Sequence, residues 1–469
     1  MNNQTQQAGG TLPSYITSAT PLGREKRAPW YKNTAPTYAG IFLWFVFWDP
    51  VTSGGKALAA GLGTALLGLV ISALVCHFLF YLVPGLFGMR TGLPLYIVGT
   101  STFGAKGGFL MPGFLMGVLQ FGWLGVNAFF SAMLLYNAFA STAVSPESAY
   151  PVAGHAIIAI LWAVLAAFMG LKGIQYVARV ATYLPLLPLA ILLILLFKTV
   201  GGVGSFKPET LIASQKITAA PGGLGVIALM LTYVVGFFAT AGAAGVDFGM
   251  NNRDKNDVQM GGLIGIALAI VFTAGISLIV VAGAFGQAAG TPPTAVTATG
   301  LMESLMGKKT AGIFWLLLAL AAFPPACFSS FIAANSFKTT LPKVNPFISV
   351  GIGTLVSIVL AVTGWAGDVV NVFSVIGASF GPICGAMLVD YMLNAGRWTG
   401  PREGFNPAGW ISWALGFIVG ILPLVKIYDL PAAPVAAFIV GAVVYFVCAK
   451  LGMLSKVVPV SGALAEATK

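Results

Sequence analysis

Charged residues are scarce in this chain. Asp, Glu, Lys and Arg together make up 8% of its 469 residues, whereas hydrophobic residues make up 58% and the mean hydropathy is +0.91. Soluble domains carry about 25% charged residues, so this composition excludes a soluble globular fold. Apolar runs of about 18 residues or more recur along the chain, and each is long enough to cross roughly 30 Å of hydrocarbon. The sequence therefore predicts a polytopic membrane protein.

Residues that carry chemistry are also few. The four cysteines lie in apolar segments without the spacing of a metal site or a disulfide framework, and the two histidines are isolated. These residues are Cys76, Cys327, Cys384, Cys448, His77 and His155. Nucleophile-elbow, Walker, metal-cluster and haem motifs are missing as well. The sequence predicts a protein that is not an enzyme, needs no cofactor and holds no metal beyond a possible Na+; the histidines are expected to be bonded structural residues.

The basic residues form no patch. The net charge is +11, but the lysines and arginines are scattered among loops, which excludes a nucleic-acid surface. With the N-terminus inside, every arginine falls on a cytoplasmic segment, although the lysines are distributed less regularly. The arginines are Arg24, Arg27, Arg90, Arg179, Arg253, Arg397 and Arg402. We expect a multi-pass protein of the inner (cytoplasmic) membrane with both termini cytoplasmic and no cleaved signal peptide.

Twelve apolar runs divide the chain, and we call them spans 1 to 12. They are 37–55, 61–85, 108–137, 150–171, 175–198, 222–248, 261–286, 311–336, 346–364, 368–393, 407–426 and 431–452. They form a single transmembrane domain, 37–452, between cytoplasmic tails at 1–36 and 453–469. The loops 199–221 and 287–310, rich in Gly, Pro and Thr, are expected to carry short surface helices or a gate.

Span 1 contains an acid and a proline within the stretch 41–55, IFLWFVFWDPVTSGG. A carboxylate in an apolar span is costly, so Asp49 is expected to face a cavity or a partner. Pro50 and the Ser53–Gly55 run give poor helical support, which predicts a break here. Broken backbone in a membrane needs cover from protein or water. A break beside a buried acid therefore predicts a binding site.

Span 6 is the expected counterpart of span 1. Proteins built from two inverted repeats of five helices begin each repeat with a discontinuous helix. Gly236, Gly242 and Gly245 weaken span 6, and Asp247 follows near its inner end. We therefore predict repeats at about 37–198 and 222–393, followed by two additional helices at about 407–452. The alternative is that these glycines only allow close helix packing.

Span 3 places Gln120, Trp123 and Asn127 close together on one helix, with Trp123 and Asn127 four residues apart on one face. An indole plane beside carboxamides suits a flat polar ring, because the indole stacks and each amide offers a donor and an acceptor. The alternative is an interfacial tryptophan with interhelical hydrogen bonds, but Trp123 lies in the middle of its span. Phe237 and Phe238 of span 6 are candidates for the other side of an aromatic sandwich.

Span 8 carries Pro324 and Pro325, with Ser329 and Ser330 one turn later. Carbonyls freed by proline, together with hydroxyls, can be oxygen ligands of a hard cation. They can equally form a kink that neighbouring helices satisfy. In span 10, Asp390 is expected to pair with a neighbour, Arg397 being the nearest arginine along the chain, rather than to bind substrate.

Three stretches resemble the nucleobase:cation symporter-1 family. RTGLPLYIVGTSTFGAKGGFLMPGFLMGVLQFGWLGVN (90–127) is similar to the inner loop and third helix of its bacterial cytosine-permease-type members. FFATAGAAGVDF (237–248) and SVIGASFGPICGAMLVDYMLN (374–394) resemble the sixth and tenth helices. The resemblance implies an all-α fold like that of the leucine transporter, with two inverted five-helix repeats plus two helices.

The resemblance also implies roles for individual residues. Trp123 would stack on the substrate, with Gln120 and Asn127 as polar neighbours and Phe238 as the opposing aromatic residue. The carbonyls of Leu43 and Val46 would face the cation. Without gaps, the family's paired hydroxyl residues of helix 8 fall on Pro325 and Ala326; a shift of one turn assigns them to Ser329 and Ser330, and Ser329 would also read the substrate edge.

The resulting hypothesis is a monomeric secondary transporter in the lipid bilayer that imports a planar heterocycle of the cytosine, purine or allantoin type. Symport with Na+ or H+ would drive alternating access, and Asp49 would link substrate binding to the coupling ion. The alternative is an amine or cationic-vitamin permease of the same fold, in which Asp49 is the counter-charge of the substrate. A non-transporting sensor or scaffold is disfavoured because no soluble domain is evident.

Overall fold

A computed structural model describes residues 12–43, 45–181, 183–288, 292–293 and 295–468. The regular structure of these residues is helical, without a β-strand. Nine helices among them are long and apolar enough to cross a membrane, and two more apolar helices, Pro346–Val362 and Pro407–Ile421, are shorter. With the interrupted segment 34–52, they are consistent with the twelve predicted spans. The start of the predicted N-terminal tail, 1–11, lies outside the described residues.

We number the segments α1 to α12. They are α1 (Thr34–Phe42 and Trp48–Thr52), α2 (Leu62–Thr91), α3 (Phe109–Phe139), α4 (Ala153–Lys172), α5 (Leu186–Ser205), α6 (Gly223–Ala243), α7 (Lys255–Gln287), α8 (Ala298–Thr340), α9 (Pro346–Val362), α10 (Val369–Leu393), α11 (Pro407–Ile421) and α12 (Ala433–Lys450). Ile174–Ala181 forms a separate amphipathic helix before α5, so the single predicted span 175–198 contains parts of two helices.

The N-terminal and C-terminal segments lie at the same end of the bundle. The Tyr15 hydroxyl donates to the Ala105 carbonyl oxygen in the α2–α3 loop. The Ala105 amide donates to the Arg402 carbonyl oxygen over 2.6 Å. Near the C-terminus, the Ser455 amide donates to Asn406 Oδ1 over 3.0 Å. We call this the terminal end, and the other end of the bundle the opposite end.

The predicted loops 199–221 and 287–310 both contain helix. Pro208–Ser214 forms a short helix in the first loop. In the second, α8 begins at Ala298, well before the predicted residue 311, and changes direction at Gly307, where φ is 75° and ψ is 157°. Only glycine adopts that conformation readily. Residues 298–306 therefore form a separate piece at the opposite end, which we call the cover helix.

The outer surface of the bundle is apolar. On α9, Ile348, Ile352, Leu355 and Val359 are 58%, 61%, 64% and 58% exposed and recur every three or four residues. Side chains at that spacing form one stripe along a helix. A continuous apolar stripe that is exposed among the described residues is suited to contact with lipid tails.

Candidate functional site

α1 is interrupted between Phe42 and Trp48. The first piece ends at Phe42, and Phe45–Phe47 form a single 3₁₀ turn before the second piece begins. Pro50 is the third residue of that second piece, where a missing amide breaks no hydrogen bond because the first amides of a helix have no intrahelical partner. The predicted break is observed just after Pro50, at Ser53–Gly55, where φ is 47°, 59° and 93°. The departure before Trp48 is a second one, which the sequence analysis did not predict.

Aromatic rings from four helices meet beside this interruption. The ring centroids of Trp123 on α3 and Phe237 on α6 are 4.7 Å apart, at an interplanar angle of 76°. Phe373 on α10 lies 5.6 Å from Trp123 and 5.2 Å from Phe237. Phe42 of α1 lies 6.1 Å from Phe237. Trp123 thus belongs to a packed aromatic cluster that connects α1, α3, α6 and α10.

Phe238, the aromatic residue expected to oppose Trp123, packs in another direction. It is fully buried and lies 5.9 Å from Tyr38 and 6.0 Å from Phe42, with the Phe42 ring nearly parallel. Successive residues of a helix point about 100° apart. Phe237 therefore takes the position against Trp123 in this structure, whereas Phe238, to which the resemblance assigned the opposing aromatic role, packs against α1.

The two carboxamides beside Trp123 have different surroundings. Gln120 is buried, and its Nε2 contacts Met116 Sδ at 3.7 Å, a weak partner. Asn127 Nδ2 donates to the Ala322 carbonyl oxygen of α8 at 2.9 Å, and its Oδ1 accepts from Trp162 Nε1 of α4 at 2.9 Å. The interhelical hydrogen bonds considered as the alternative are therefore present at Asn127, whereas the Gln120 amide keeps hydrogen-bonding capacity.

The α8 hydroxyls lie away from the α1 interruption. Ser329 Oγ donates to the Pro325 carbonyl oxygen of its own helix at 3.2 Å. Ser330 Oγ is fully buried without a hydrogen-bond partner among the described residues, and its Cβ faces Gly170 of α4. The expected grouping of Ser329 and Ser330 with Leu43 and Val46 is therefore not observed.

A small cavity lies at the α1 interruption. Its walls come from the interruption, α5, α7, the cover helix and α8. They include Phe42, Leu43, Phe47, Ile191, Thr273, Ala298, Met302 and Leu318. Leu318 is the residue of α8 that borders the cavity. At a rise of 1.5 Å per residue, Ser329 lies about 16 Å further along the helix, away from the cavity. Val46 is buried, with 1% exposure. The cavity is mostly apolar, and Thr273 Oγ1 is hydrogen-bonded within α7.

Asp49 contacts the cover helix. Its Oδ1 accepts a 2.8 Å hydrogen bond from the amide of Ala298, the first residue of α8. The preceding residue, Trp48, donates from Nε1 to the Val296 carbonyl oxygen at 2.9 Å. The expectation that Asp49 has a protein partner is met by a backbone amide. The second piece of α1 and the cover helix are thereby joined at the opposite end.

α6 departs from a regular helix differently from α1. A π-helical turn spans Leu231–Val235, and a second break at Ala244 precedes the short helix Gly245–Gly249. The glycines themselves allow close packing: a Cβ at Gly242 would lie 2.7 Å from Phe80 Cβ, and one at Gly245 would lie 2.8 Å from the Tyr81 ring. Both interpretations of span 6 therefore hold in part. π-helical turns are frequent at functional sites.

Asp247, within the short helix Gly245–Gly249, contacts the α2–α3 loop. Its Oδ1 accepts a 3.0 Å hydrogen bond from the Leu95 amide. Leu95 begins the first of two short helices, Leu95–Val98 and Thr100–Phe103. Sequence reasoning identified Asp247 only as a neighbour of the break and did not anticipate this contact.

The terminal end is held by further polar contacts. Thr34 Oγ1 of α1 donates to Asn252 Oδ1 at 2.7 Å. Arg27 Nη2 donates to the Leu22 carbonyl oxygen at 3.0 Å, and Nη1 donates to the Met89 carbonyl oxygen. Burial lowers the pKa of the Arg27 guanidinium from its ordinary value, and Arg24 lowers it further. These contacts join the N-terminal segment to α2 and to the α6–α7 loop.

Asp390 pairs with Arg402 rather than with Arg397. Arg402 Nη2 lies 3.7 Å from Asp390 Oδ1, and both side chains are buried. Asp390 also accepts hydrogen bonds from Ser101 Oγ at 2.7 Å and Tyr445 OH at 2.9 Å. The prediction that Asp390 pairs with a neighbour rather than with substrate is consistent with this geometry. The bonded role expected of His155 is observed: its Nε2 lies 3.0 Å from the Phe129 carbonyl oxygen. His77 differs, because neither ring nitrogen has a hydrogen-bond partner among the described residues.

Comparisons with known proteins agree with the sequence resemblance. The cytosine permease of Escherichia coli (strain K12) is 25% identical over 400 residues, which cover 83% of this chain and 82% of the permease. Inward-facing Mhp1 superposes with a TM-score of 0.65 at 14% identity, over 95% of this chain and 99% of Mhp1. Mhp1 in a closed conformation, a nucleobase-cation-symport-1 family transporter with bromovinylhydantoin bound, has a TM-score of 0.61 at 15% identity, over 97% and 98%.

No family model matches the chain. The relatives nevertheless confirm the resemblance to the nucleobase:cation symporter-1 family that the sequence indicates. The solved structures confirm the fold class, an all-α membrane protein with the leucine-transporter-like repeat architecture. The relatives are transporters rather than enzymes, as the sequence predicts for this chain.

Proposed function

We propose that this chain imports a nucleobase or a related planar heterocycle by symport with Na+ or H+. The observation that carries the proposal is the contact between Trp123 and Phe237 beside the interrupted α1. Flat π-systems stack on aromatic side chains, and a stack of this kind contributes about 1–3 kcal/mol per base. The relatives named cytosine permease and the Mhp1 fold support the same substrate class.

The substrate would lie between Trp123 and Phe237, whose present edge-to-face contact it would replace with two stacking contacts. Gln120 is the best candidate to read the edge of the ring, because exchanging its weak sulfur contact for a hydrogen bond costs little. Asn127 and Ser329 are less suited to this role, because their polar atoms already bond to α4 and α8. They would support the site instead.

The coupling cation would bind where α1 is interrupted. Interrupted helices leave backbone carbonyl groups free of intrahelical bonds, and such oxygens are suitable ligands for Na+. Leu43 and Val46 would supply backbone carbonyl oxygens to the cation; Trp44, between them, lies outside the described residues. Proton coupling would need a titratable group instead, and Asp49 is the nearest acid in the sequence.

We infer that the terminal end faces the cytoplasm. Several arginines lie at that end, Arg90 in the last turn of α2 and Arg253, Arg397 and Arg402 in the described loops. They agree with the bias of cytoplasmic segments towards basic residues. Alternating access then follows from movement of one repeat against the other around the aromatic cluster.

Uptake by proteoliposomes tests the proposal. Radiolabelled cytosine, uracil, adenine, hypoxanthine, allantoin and the cationic control thiamine would be offered with Na+ and proton gradients imposed separately. We expect uptake of a neutral heterocycle, and Trp123→Ala should lower its apparent affinity by about tenfold or more. Uptake of thiamine alone would favour the alternative, a permease for cations with Asp49 as counter-charge.

Phe237→Leu and Phe238→Leu provide a matched pair. Both substitutions keep an apolar side chain, but only Phe237 contacts Trp123 in the cluster described here. We expect affinity to fall by about tenfold for Phe237→Leu and by less than about threefold for Phe238→Leu, since an aromatic pair contributes about 0.5–1.5 kcal/mol beyond its buried area. A larger effect at Phe238 would contradict the proposed role of Phe237 and favour the role that the resemblance implies for Phe238.

A further inference from the structure

Asp49 and Asp247 make the same kind of contact at opposite ends of the molecule. Each lies on the first helix of a predicted repeat or just after it, and each accepts a hydrogen bond from the amide that begins a loop helix. Asp49 binds Ala298, before the main part of α8, and Asp247 binds Leu95, before α3. The partners are exchanged between repeats, as the inverted symmetry of such a fold requires.

The loop helix at the opposite end covers the cavity. Ala298 and Met302 of the cover helix form part of the cavity wall. Asp49 and Trp48 bind the start of this helix immediately after the α1 interruption. Movement of the second piece of α1 would therefore be coupled to the position of the cover helix.

The loop helices at the terminal end connect two parts of the bundle. Leu95 is bound by Asp247 beside α6, whereas Ser101 is bound by Asp390 of α10. The Arg402 guanidinium also donates to the Ser101 carbonyl oxygen at 2.8 Å. The segment 95–103 therefore spans from α6 to α10. Release at Leu95 would free its contact with Asp247, while its hydrogen bonds to α10 and to the α10–α11 loop would remain.

We propose that Asp49 and Asp247 are paired positioning residues that hold the two ends of the transport pathway closed, and that each is released in turn during the cycle. The proposal rests on the proposed transport function, although its contacts are independent of the substrate. Both contacts are formed in this structure. The essential property is an acceptor oxygen, which Asn retains and Ala lacks.

Cysteine labelling tests the proposal without any substrate. The four native cysteines would be replaced by alanine, and Met302→Cys or Ile97→Cys would be introduced as reporters at the opposite and terminal ends; both positions are buried. Maleimide labelling rates would be measured on purified protein in nanodiscs. Asp49→Ala should raise the rate at position 302 about tenfold and leave position 97 unchanged, and Asp247→Ala should do the reverse, since the loss of one typical hydrogen bond shifts an equilibrium on this scale.

Four variants separate the proposed positioning role of Asp49 and Asp247 from general destabilisation of the protein. Asp49→Asn and Asp247→Asn should keep both reporters protected. Asp368→Ala and Asp254→Ala are matched controls, since these acids cap helices at the opposite and terminal ends without joining a loop helix to a repeat. They should leave both rates within about twofold, because their capping energies act within one helix.

Ala298→Pro tests the same contact from the other partner. It removes the donor amide while fitting the first position of a helix, where proline is favoured. The preceding Thr297 is already extended, with φ −63° and ψ 150°, as a residue before proline requires. We expect the labelling pattern of Asp49→Ala, and this variant decides the outcome if that one does not fold.

Increased labelling of both reporters in one variant, or unchanged labelling in Asp49→Ala, Ala298→Pro and Asp247→Ala, would overturn the proposal. So would loss of protection in the Asn variants, which would show that charge rather than the acceptor oxygen matters. Failure of every compound in the uptake panel would refute the proposed function but leave the labelling pattern interpretable.

Discussion

Asn127 places one side-chain amide between three helices. Its donor reaches α8 at Ala322, and its acceptor receives Trp162 of α4 and, at 3.3 Å, Ser131 of its own helix. The sequence shows an asparagine four residues from a tryptophan, a spacing equally suited to binding substrate and to joining helices. Its bonding partners lie 35 and 195 residues away in the chain, so only the fold decides between these roles.

Asn127→Ala should therefore destabilise the protein before any substrate is added. It leaves the Trp162 indole and the Ala322 carbonyl without their partner, and we expect a loss of about 1–2 kcal/mol in the free energy of unfolding, near the upper range for polar contacts between membrane helices. Denaturant unfolding in detergent measures the change. Ser131→Ala, which removes only the longer bond, is the control and should cost about 0.5 kcal/mol or less.

The direction of a single side chain is the part of the site that the sequence predicts least well. Trp123 was identifiable because an indole in the middle of a span is unusual, and the cluster in the structure contains it. Phe237 and Phe238 are adjacent and identical in type, so sequence alone cannot decide which faces α3. Phe373 gave no signal, since phenylalanine is common in apolar helices.

α2 and the segment after α6 approach each other to backbone contact near Asp247. A Cβ at Gly88 would meet the Val246 carbonyl oxygen and, at 2.8 Å, the Met250 amide nitrogen. Backbone atoms cannot move aside as a flexible side chain can. Small residues at such crossings are a general feature of membrane helix packing. The geometry of the Asp247 contact therefore depends on glycine in the neighbouring helix.

Gly88→Ala should force these two elements apart. We expect a loss of about 1–3 kcal/mol, the usual range for overpacking of a close contact. The thermal unfolding midpoint of the purified protein measures it. Gly63→Ala on the same helix is the matched control, because nothing lies within 4 Å of the added Cβ. It should be neutral or slightly stabilising, since alanine favours helix over glycine by up to about 1 kcal/mol. Equal losses in both variants would contradict this interpretation.

The sequence predicted the departure of α1 from a helix at Ser53–Gly55 but not the one before Trp48. Proline and glycine mark poor helical support, but a proline is tolerated in the first turn of a helix. Pro50 occupies that position, so the chain departs from helical geometry before Trp48 and again at Ser53. The cover helix was missed as part of α8 because residues 298–306 are only moderately apolar and precede Gly307. A hydropathy pattern identifies segments that cross the lipid bilayer, but it does not identify a helix that lies over the transport pathway.

At the scale of the whole molecule, Asp390 and Arg402 connect the parts that hydropathy places in order but cannot assemble. Asp390 receives hydrogen bonds from the α2–α3 loop and α12, and Arg402 adds the C-terminal segment through the Ser455 carbonyl oxygen at 3.0 Å. Arg397 lies closer in sequence but is exposed. The distant arginine is the partner because the α10–α11 loop folds back beneath the α2–α3 loop, as the hydrogen bond from Ala105 to Arg402 shows.

The loss of stability should therefore be largest for Asp390→Leu, smaller for Arg402→Met and smallest for Arg397→Gln. Asp390→Leu leaves a buried guanidinium and several donors without their acceptor, and should cost about 3–5 kcal/mol. Arg402→Met should cost less, because Ser101 and Tyr445 still donate to the carboxylate. Arg397→Gln should stay within about 0.5 kcal/mol of the unchanged protein, as is usual for exposed positions.

Denaturant unfolding of the three variants and of the Asp390→Leu/Arg402→Met double variant gives the coupling energy between Asp390 and Arg402, which should be at least about 1 kcal/mol. Strictly additive losses would mean that the two side chains stabilise the terminal end separately.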